Sequence, residues 1–158
     1  MITRHFIKNK TTTIPDNEIW YTSNDGNVVT PYDTKVFGAK IVSNTYEDGK
    51  GVIKFDNSVT SMGTSVFFNC KSLTSVTIPN SVTHIRNDAF DRCLYITSIN
   101  IPNSVTSIES QIFAHCSYLT SITYNGTKEQ WNDITKSDFW DLYSVITYVH
   151  CTNGIITL

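Results

Sequence analysis

The sequence contains little charge and no long hydrophobic run, and these absences exclude several classes of protein. Charged residues make up 16% of the 158 residues, below the roughly 25% that is usual in globular chains. The 12 basic and 14 acidic residues nearly cancel, which argues against a nucleic-acid-binding protein, because such proteins gather basic residues on one face. No apolar stretch approaches the roughly 18 residues of a membrane span. The start, MITRHFIKNKTTT, lacks the apolar core of a secretory signal.

The sequence also lacks the patterns that enzymes and metal sites require. There is no CxxC pair, no Cys/His spacing suited to zinc and no glycine-rich phosphate loop. The acidic residues are scattered instead of paired, so glycosidase chemistry finds no support. No carboxylate recurs beside the four histidines, His5, His84, His115 and His150. We therefore expect a protein that is not an enzyme and has no catalytic residue, cofactor or metal site.

Hydroxyl groups and aromatic rings take the place of the missing charge. The chain has 22 Thr and 16 Ser, together with 8 Phe, 8 Tyr and 3 Trp. Threonine and the aromatic residues favour β-strands, and a disordered chain would contain far fewer aromatic residues. This composition therefore indicates a folded domain rich in β-structure.

Three consecutive 23-residue segments align without a gap and dominate the sequence. They cover residues 53–75, 76–98 and 99–121, and a fourth segment opens at Ile122. A period of 23 lies within the range of 20–29 residues that is typical of leucine-rich repeats. Units this short cannot bury an apolar face alone, so we expect them to stack into a solenoid.

Each unit predicts a strand, a turn, a short helix or tight turn, and a return. From Ile85 the next apolar positions follow at +4, +5 and +8, which is helical spacing. Cys70, Cys93 and Cys116 form one column, and we expect buried free thiols there, because three stacked cysteines cannot all pair. Two strand columns, two residues apart, point to one face and predict the core: Ile53, Val76, Ile99 and Ile122, then Phe55, Ile78, Ile101 and Tyr124.

The repeated pattern I-x-I-P-x-S-V-T-x-I-x₃-A-F-x₂-C-x₂-L-x-S resembles the BspA-like, or Treponema-type, leucine-rich repeats of bacterial surface proteins over residues 53–124. The flanks EIWYTSNDGNVV and YNGTKEQWNDI…HCTNGIITL are similar to the terminal segments of such arrays in gut bacteria and their phages. We therefore expect an α/β repeat fold, a short leucine-rich repeat solenoid with a parallel strand ladder. A β-hairpin would cap its N-terminus, and a helix plus a hairpin its C-terminus.

One domain accounts for most of the chain in this interpretation. We expect a flexible N-terminal arm at residues 1–16 and a single leucine-rich repeat domain at residues 17–158. Within it, residues 17–52 form the N-terminal cap, residues 53–124 the repeats and residues 125–158 the C-terminal cap. Both ends need caps because a repeat array otherwise exposes an apolar cross-section.

Local signals predict how each cap is built. Apolar runs around Asn24-Asp25-Gly26 predict a hairpin over residues 18–30, the segment Val36–Val42 predicts a strand, and residues 47–51 predict a turn. In the C-terminal cap, Thr127 and Gln130 have the spacing of a capping box. The remaining predicted elements are an apolar lid and a final hairpin around residues 151–154, with the lid formed by Trp131, Ile134, Phe139, Trp140 and Leu142.

Strand residues between the inward columns face away from the core and form the candidate binding surface. Solenoids commonly bind partners on an extended concave face of this kind. The alternative is a face that serves only solubility. A second candidate interface is the set of cap aromatics, Trp20, Tyr21, Phe139, Trp140 and Tyr143. The predicted concave face is rich in hydroxyl and amide groups and contains Lys54, Ser75, Thr77, Ser98, Asn100, Ser121 and Thr123.

The resemblance implies a non-enzymatic interaction module that mediates binding or adhesion at a surface. Its partner would be a protein or a surface glycan, with no role for nucleic acid or a membrane span. The alternative is a phage structural or decoration protein that docks through its caps and its N-terminal arm, with homo-oligomer or virion assembly. The missing secretory signal favours a cytoplasmic or virion-associated location over classical secretion.

Overall fold

The computed structural model of the protein describes residues 13–158, in which twelve strands and one helix occur. Eight strands form a main sheet in the order β12-β11-β9-β7-β5-β1-β3-β2, and four two-residue strands form a second sheet in the order β10-β8-β6-β4. The elements are β1 (Glu18–Ser23), β2 (Ile41–Glu47), β3 (Lys50–Phe55), β4 (Ser61–Met62), β5 (Leu73–Thr77), β6 (His84–Ile85), β7 (Ser98–Ile101), β8 (Ser107–Ile108), β9 (Ser121–Tyr124), α1 (Lys128–Asp133), β10 (Thr135–Lys136), β11 (Tyr148–Cys151) and β12 (Gly154–Thr157).

Each 23-residue repeat forms one coil of a solenoid, and the next repeat forms the neighbouring coil. Each coil supplies one strand to the main sheet and one to the second sheet: β3 and β4, β5 and β6, β7 and β8, β9 and β10. Val76 pairs in parallel with Ile99, and Asn100 with Thr123, so residues 23 apart are neighbours. The predicted parallel ladder and solenoid are confirmed.

The segments with helical spacing are tight turns, and their amides bond to the next coil. The backbone N–H of Phe67 donates to the carbonyl oxygen of Ala89 at 2.8 Å, and the N–H of Phe90 to that of Ile112 at 2.9 Å. This arrangement needs left-handed backbone at two positions in each turn, as at Asp88 and Arg92. The turn backbone therefore forms hydrogen bonds between coils instead of an α-helix within one.

The inward columns form one continuous core. All eight predicted inward strand residues are buried. The rings of Phe67, Phe90 and Phe113 stack along the solenoid, with centroids 5.6 Å apart at each step. Each coil thus buries an aromatic ring against the same ring of its neighbour, which extends the core by one layer per repeat.

The cysteine column consists of free thiols, as predicted. The Sγ of Cys93 donates to the carbonyl oxygen of Phe67 at 3.0 Å, and the Sγ of Cys116 to that of Phe90 at 3.1 Å. Burial raises the pKa of Cys70 to about 11 and that of Cys116 to about 12, and it raises the pKa of Cys93 well above its usual range. The column therefore holds protonated thiols, and those of Cys93 and Cys116 link adjacent coils.

The serine of the repeated I-P-x-S-V motif has a similar role at the opposite end of the main strand. The hydroxyl of Ser81 donates to the carbonyl oxygen of Val59 at 2.6 Å, and the hydroxyl of Ser104 to that of Val82 at 2.7 Å. A short side chain with a donor is required there because it must reach the backbone of the preceding coil.

The N-terminal cap is built differently from the prediction. Strand β1 inserts antiparallel between β3 and β5, with Ile19 opposite Ile53 and Tyr21 opposite Val76. The predicted hairpin over residues 18–30 is wrong, because both edges of β1 pair with distant strands and residues 27–30 form no strand. The strand expected at Val36–Val42 begins only at Ile41.

The N-terminal hairpin instead consists of β2 and β3. Its turn residues Asp48 and Gly49 both have positive φ, 50° and 77°, as a two-residue hairpin turn demands. This is the turn predicted over residues 47–51. The fold class, with a β-hairpin cap at this end, is confirmed, although the hairpin lies later in the chain than expected.

The C-terminal cap follows the prediction, except that Phe139 of the predicted apolar lid is exposed. Thr127 and Gln130 form the capping box of α1, and Trp131 in that helix is buried. Strand β11 continues the parallel ladder beside β9, with Tyr148 opposite Ser121, and β12 completes the final hairpin. The last coil is 27 residues long (148 − 121), because it accommodates α1.

The structure describes only the last four residues of the predicted arm, residues 13–16. Residues 1–12 of the expected arm lie outside the described residues. Ile14 is buried, and the carbonyl oxygen of Asp16 accepts a hydrogen bond from the N–H of Val59 at 2.8 Å. Over residues 13–158, the structure has no helix with the length and apolar character needed to cross a membrane.

Replacing Phe90 with alanine is expected to lower the free energy of unfolding by about 3–5 kcal/mol, because it leaves a cavity between two stacked rings. Chemical denaturation followed by circular dichroism measures the loss. Phe139→Ala is the matched control, since that ring is 58% exposed. A loss below about 1 kcal/mol for Phe90→Ala, equal to the control, would show that the inward columns are misassigned.

Thiol labelling tests the cysteine column. In native protein at pH 8 we expect Cys151, which is half-buried, to react first with a disulfide reagent such as dithionitrobenzoate. Cys70, Cys93 and Cys116 should react only on unfolding, because burial shields them and raises their pKa. Four thiols should react in denaturant. Rapid reaction of two or more thiols in the native protein would contradict this packing.

Candidate functional site

The predicted surface residues lie on one face of the main sheet. In β5, β7 and β9 the side chains alternate, so that Val76, Ile99 and Ile122 are buried while their neighbours point away from the core. Ser98 and Thr123 are exposed, and the others are partly buried. We use the name polar face for the six residues Ser75, Thr77, Ser98, Asn100, Ser121 and Thr123.

Most of the hydrogen-bonding capacity of the polar face is unused within residues 13–158. There, the side chains of Thr77, Ser98, Asn100, Ser121 and Thr123 form no hydrogen bond. Ser75 differs, because its Oγ lies 2.6 Å from Oγ1 of Thr22 in β1. Each hydroxyl can donate one hydrogen bond and accept two, and the amide can do both. The face therefore presents closely spaced donors and acceptors on rigid strands.

Lys54 does not lie next to these residues, which corrects the prediction. It is located in β3, and β1 separates that strand from β5. Its Nζ lies 3.5 Å from Oε1 of Glu18, the residue opposite it in β1. Lys54 thus belongs to a charged pair at the margin, and the insertion of β1 excludes it from the polar face.

Trp20 occupies the place expected for Lys54 beside Thr77. Its Nε1 donates to Oε2 of Glu18 at 2.7 Å, and the Nζ of Lys50 lies 3.1 Å from the ring centroid. Sequence reasoning assigned Trp20 to an aromatic cap. The alternation of buried Ile19 and Tyr21 with Trp20 was the available signal, but the sequence did not reveal the partner strand.

Tyr148 and His150 flank the other side of the polar face. In β11 they lie opposite Ser121 and Thr123, and both are exposed. The row from Trp20 to His150 crosses five strands, or about 19 Å at ~4.8 Å per step. Sequence analysis missed both residues because the last coil has 27 residues and breaks the 23-residue spacing.

The cap aromatics do not form one patch. Tyr21 and Trp140 are buried, and the hydroxyl of Tyr21 donates to Oδ1 of Asn44 at 2.7 Å. These two side chains complete the core. Phe139 and Tyr143 are exposed and lie near the other end of the chain from Trp20.

One histidine has a carboxylate partner that the sequence analysis did not find. Nδ1 of His115 lies 2.9 Å from Oδ1 of Asp91, and Asp91 is only 8% exposed. The two residues are 24 apart, so they occupy adjacent columns on adjacent coils. Across residues 13–158, however, no three His, Cys, Asp or Glu side chains are grouped so that they could hold a metal ion.

Comparison with known proteins identifies the repeat. The family model described as the BspA type leucine-rich repeat region (6 copies) matches residues 40–158. No curated protein matches the chain. A crystal structure of a leucine-rich cell surface protein from Faecalibacterium prausnitzii A2-165 is 41% identical over 52% of this chain, with a TM-score of 0.49. That match covers 22% of the other chain, so this chain spans about a fifth of its length.

The family model covers the whole array of coils. The matched segment extends from the end of the N-terminal loop through every parallel strand to the final hairpin. It includes the last coil, in which a helix lengthens the period. The chain belongs to the BspA-type leucine-rich repeat family.

Proposed function

We propose that this chain is a non-enzymatic interaction module that binds a protein or a glycan through its polar face and so mediates adhesion at a surface. Membership of the repeat family supports an interaction role, since solenoids use their extended surfaces for binding. The polar face adds a specific location to that general role.

The observation that carries the proposal is the set of hydroxyl and amide groups on β5, β7 and β9 that form no hydrogen bond within residues 13–158. Strand backbones hold these side chains in place, and serine and threonine have few rotamers to lose. Binding there consequently costs little conformational entropy. Trp20 and Tyr148 at the two margins provide the aromatic contacts that are enriched at interfaces.

The composition of the polar face argues against a purely solubilising role. A surface that only keeps a protein in solution carries many lysines and glutamates. None of the six polar-face residues is charged, and the charged pair of Lys54 and Glu18 lies outside them. The centres of interfaces are likewise depleted of charged residues.

The virion alternative depends on different parts of the molecule. It requires docking through the caps and through residues 1–16. Of these sixteen residues, 1–12 lie outside the described part of the chain. No contact within residues 13–158 favours that role over the interaction module, so it stays a prediction.

Two substitutions on the polar face test the proposal. Replacing Thr77 and Asn100 together with arginine puts two long charged side chains in its centre. We expect at least a tenfold loss of binding to ligands identified for the wild-type protein on a glycan microarray and an extracellular-matrix protein panel.

The matched control replaces Thr64 and Asn132 with arginine. Both residues are exposed and lie outside the main-sheet strands, so this variant adds the same charge elsewhere and should bind as the wild-type protein does. Undiminished binding by Thr77→Arg/Asn100→Arg, or an equal loss in the control, would show that the polar face is not the binding site.

A further inference from the structure

Within residues 13–158 the main sheet has two edge strands, β2 at its N-terminal end and β12 at its C-terminal end. An edge strand exposes backbone N–H and C=O groups that can pair with a further strand. Natural proteins protect such edges with charged side chains, bulges or prolines. The two edges of this sheet differ, because β2 has such protection and β12 has none.

Charge and a bulge protect the edge at β2. Lys40 precedes the strand, Glu47 ends it and Asp48 follows it, and all three residues are exposed. The pairing of β2 with β3 shifts its register between Ile41 and Ser43, and a bulge of this kind twists an edge strand away from flat pairing. This edge of the sheet is therefore unsuited to a further strand.

The edge at β12 is regular, uncharged and apolar. It pairs with β11 without a register shift, and residues 152–158 contain no charged side chain and no proline. The side chains of Ile155 and Leu158 are 56% and 47% exposed. Lys128 and Glu129 of α1 hydrogen-bond to the turn before β12, and their charges are opposite. An exposed apolar edge without charge or proline favours pairing with another strand.

Two residues of β12 turn their backbone polar groups away from β11. The N–H of Leu158 donates to the carbonyl oxygen of Thr147 at 2.9 Å, and hydrogen-bonded positions alternate along an antiparallel strand. Ile156 therefore also bonds towards β11, whereas Ile155 and Thr157 direct their N–H and C=O groups outward. Within residues 13–158, no turn or loop backbone bonds to Ile155 or Thr157. Two donors and two acceptors are consequently open at this edge.

This strand matches an antiparallel copy of itself. When Ile156 lies opposite Ile156 of a second copy, residues 154–158 of the two chains overlap completely. The outward groups of Ile155 then face those of Thr157 in the other copy on both sides of the centre, which allows four backbone hydrogen bonds. The two Ile156 side chains form a β-branched cross-strand pair, a kind of contact that stabilises sheets. Gly154 has no side chain and leaves room for Leu158 opposite it.

We propose that β12 pairs antiparallel with β12 of a second copy of this chain and joins the two main sheets into one. The second copy is the occupant because the strand is complementary to itself and no charge is brought against a like charge. A two-fold axis perpendicular to the sheet relates the copies, so the interface is closed. The protected β2 edges end the combined sheet and prevent growth into a filament.

The pairing has a consequence for the polar face, although it does not depend on the function proposed for that face. Because the two-fold axis is perpendicular to the sheet, both polar faces lie on the same side of the dimer. The interface has about five residues per copy, compared with ~20–30 in a standard interface. The dimer is therefore weak and forms at high local concentration, where two linked binding faces increase avidity.

Analytical ultracentrifugation at concentrations up to about 1 mM tests the pairing. We expect the average mass of the wild-type protein to rise with concentration from the monomer towards twice that value. Ile155→Lys should abolish the rise, because an edge lysine opposes strand pairing. Val42→Lys is the matched control, since Val42 is 67% exposed on β2, and it should dimerise normally. A monomer at every concentration, masses above the dimer, or equal behaviour of the two lysine variants would overturn the proposal.

A proline and a cysteine locate the interface. Ile155→Pro removes an outward N–H, which an edge strand tolerates, so this variant should keep the wild-type circular dichroism spectrum and stay monomeric. In a Cys151→Ser background, Ile156→Cys should form a disulfide-linked dimer on mild oxidation, because the Cα atoms of that pair lie ~4.5 Å apart. Thr45→Cys on β2 should not. Dimerisation of folded Ile155→Pro, or equal cross-linking of the two cysteine variants, would show that β12 is not the interface.

Discussion

The backbone hydrogen bonds between successive coils are the constraint on which the rest of the structure depends. They are possible only where residues 23 apart adopt the same conformation, as at Phe67 and Phe90. This requirement places similar side chains in columns, so that rings stack on rings, and Cys93 and Cys116 each donate to a carbonyl of the preceding coil. Sequence periodicity, core and surface pattern are therefore consequences of one repeated set of bonds.

The features that the 23-residue period determines could be predicted from the sequence. The pairing of strands far apart in the chain could not. The buried columns, the free thiols and the capping box at Thr127 could be derived from residue spacing. The insertion of β1 could not, because nothing near Glu18–Ser23 specifies partners more than 25 residues away. Lys54 was assigned to the polar face for that reason. The contact of Asp91 with His115 was derivable, since residues 24 apart fall in adjacent columns.

The same repetition explains why the polar face is linear. Each coil adds one hydroxyl or amide step to it, so the face grows along the solenoid axis. The caps modify its ends: β1 places Trp20 at one margin of the polar face, and β11 places Tyr148 at the other.

Deletion of one whole coil tests the solenoid account most directly. Removing residues 76–98 leaves every column, stack and inter-coil bond in register, so the shortened protein should fold and unfold cooperatively, with native-like circular dichroism and dispersed amide resonances. Removing residues 76–87, about half a coil, breaks the register and should abolish folding. If the whole-coil deletion unfolds the protein as completely as the half-coil deletion, the account of stacked and interchangeable coils is wrong.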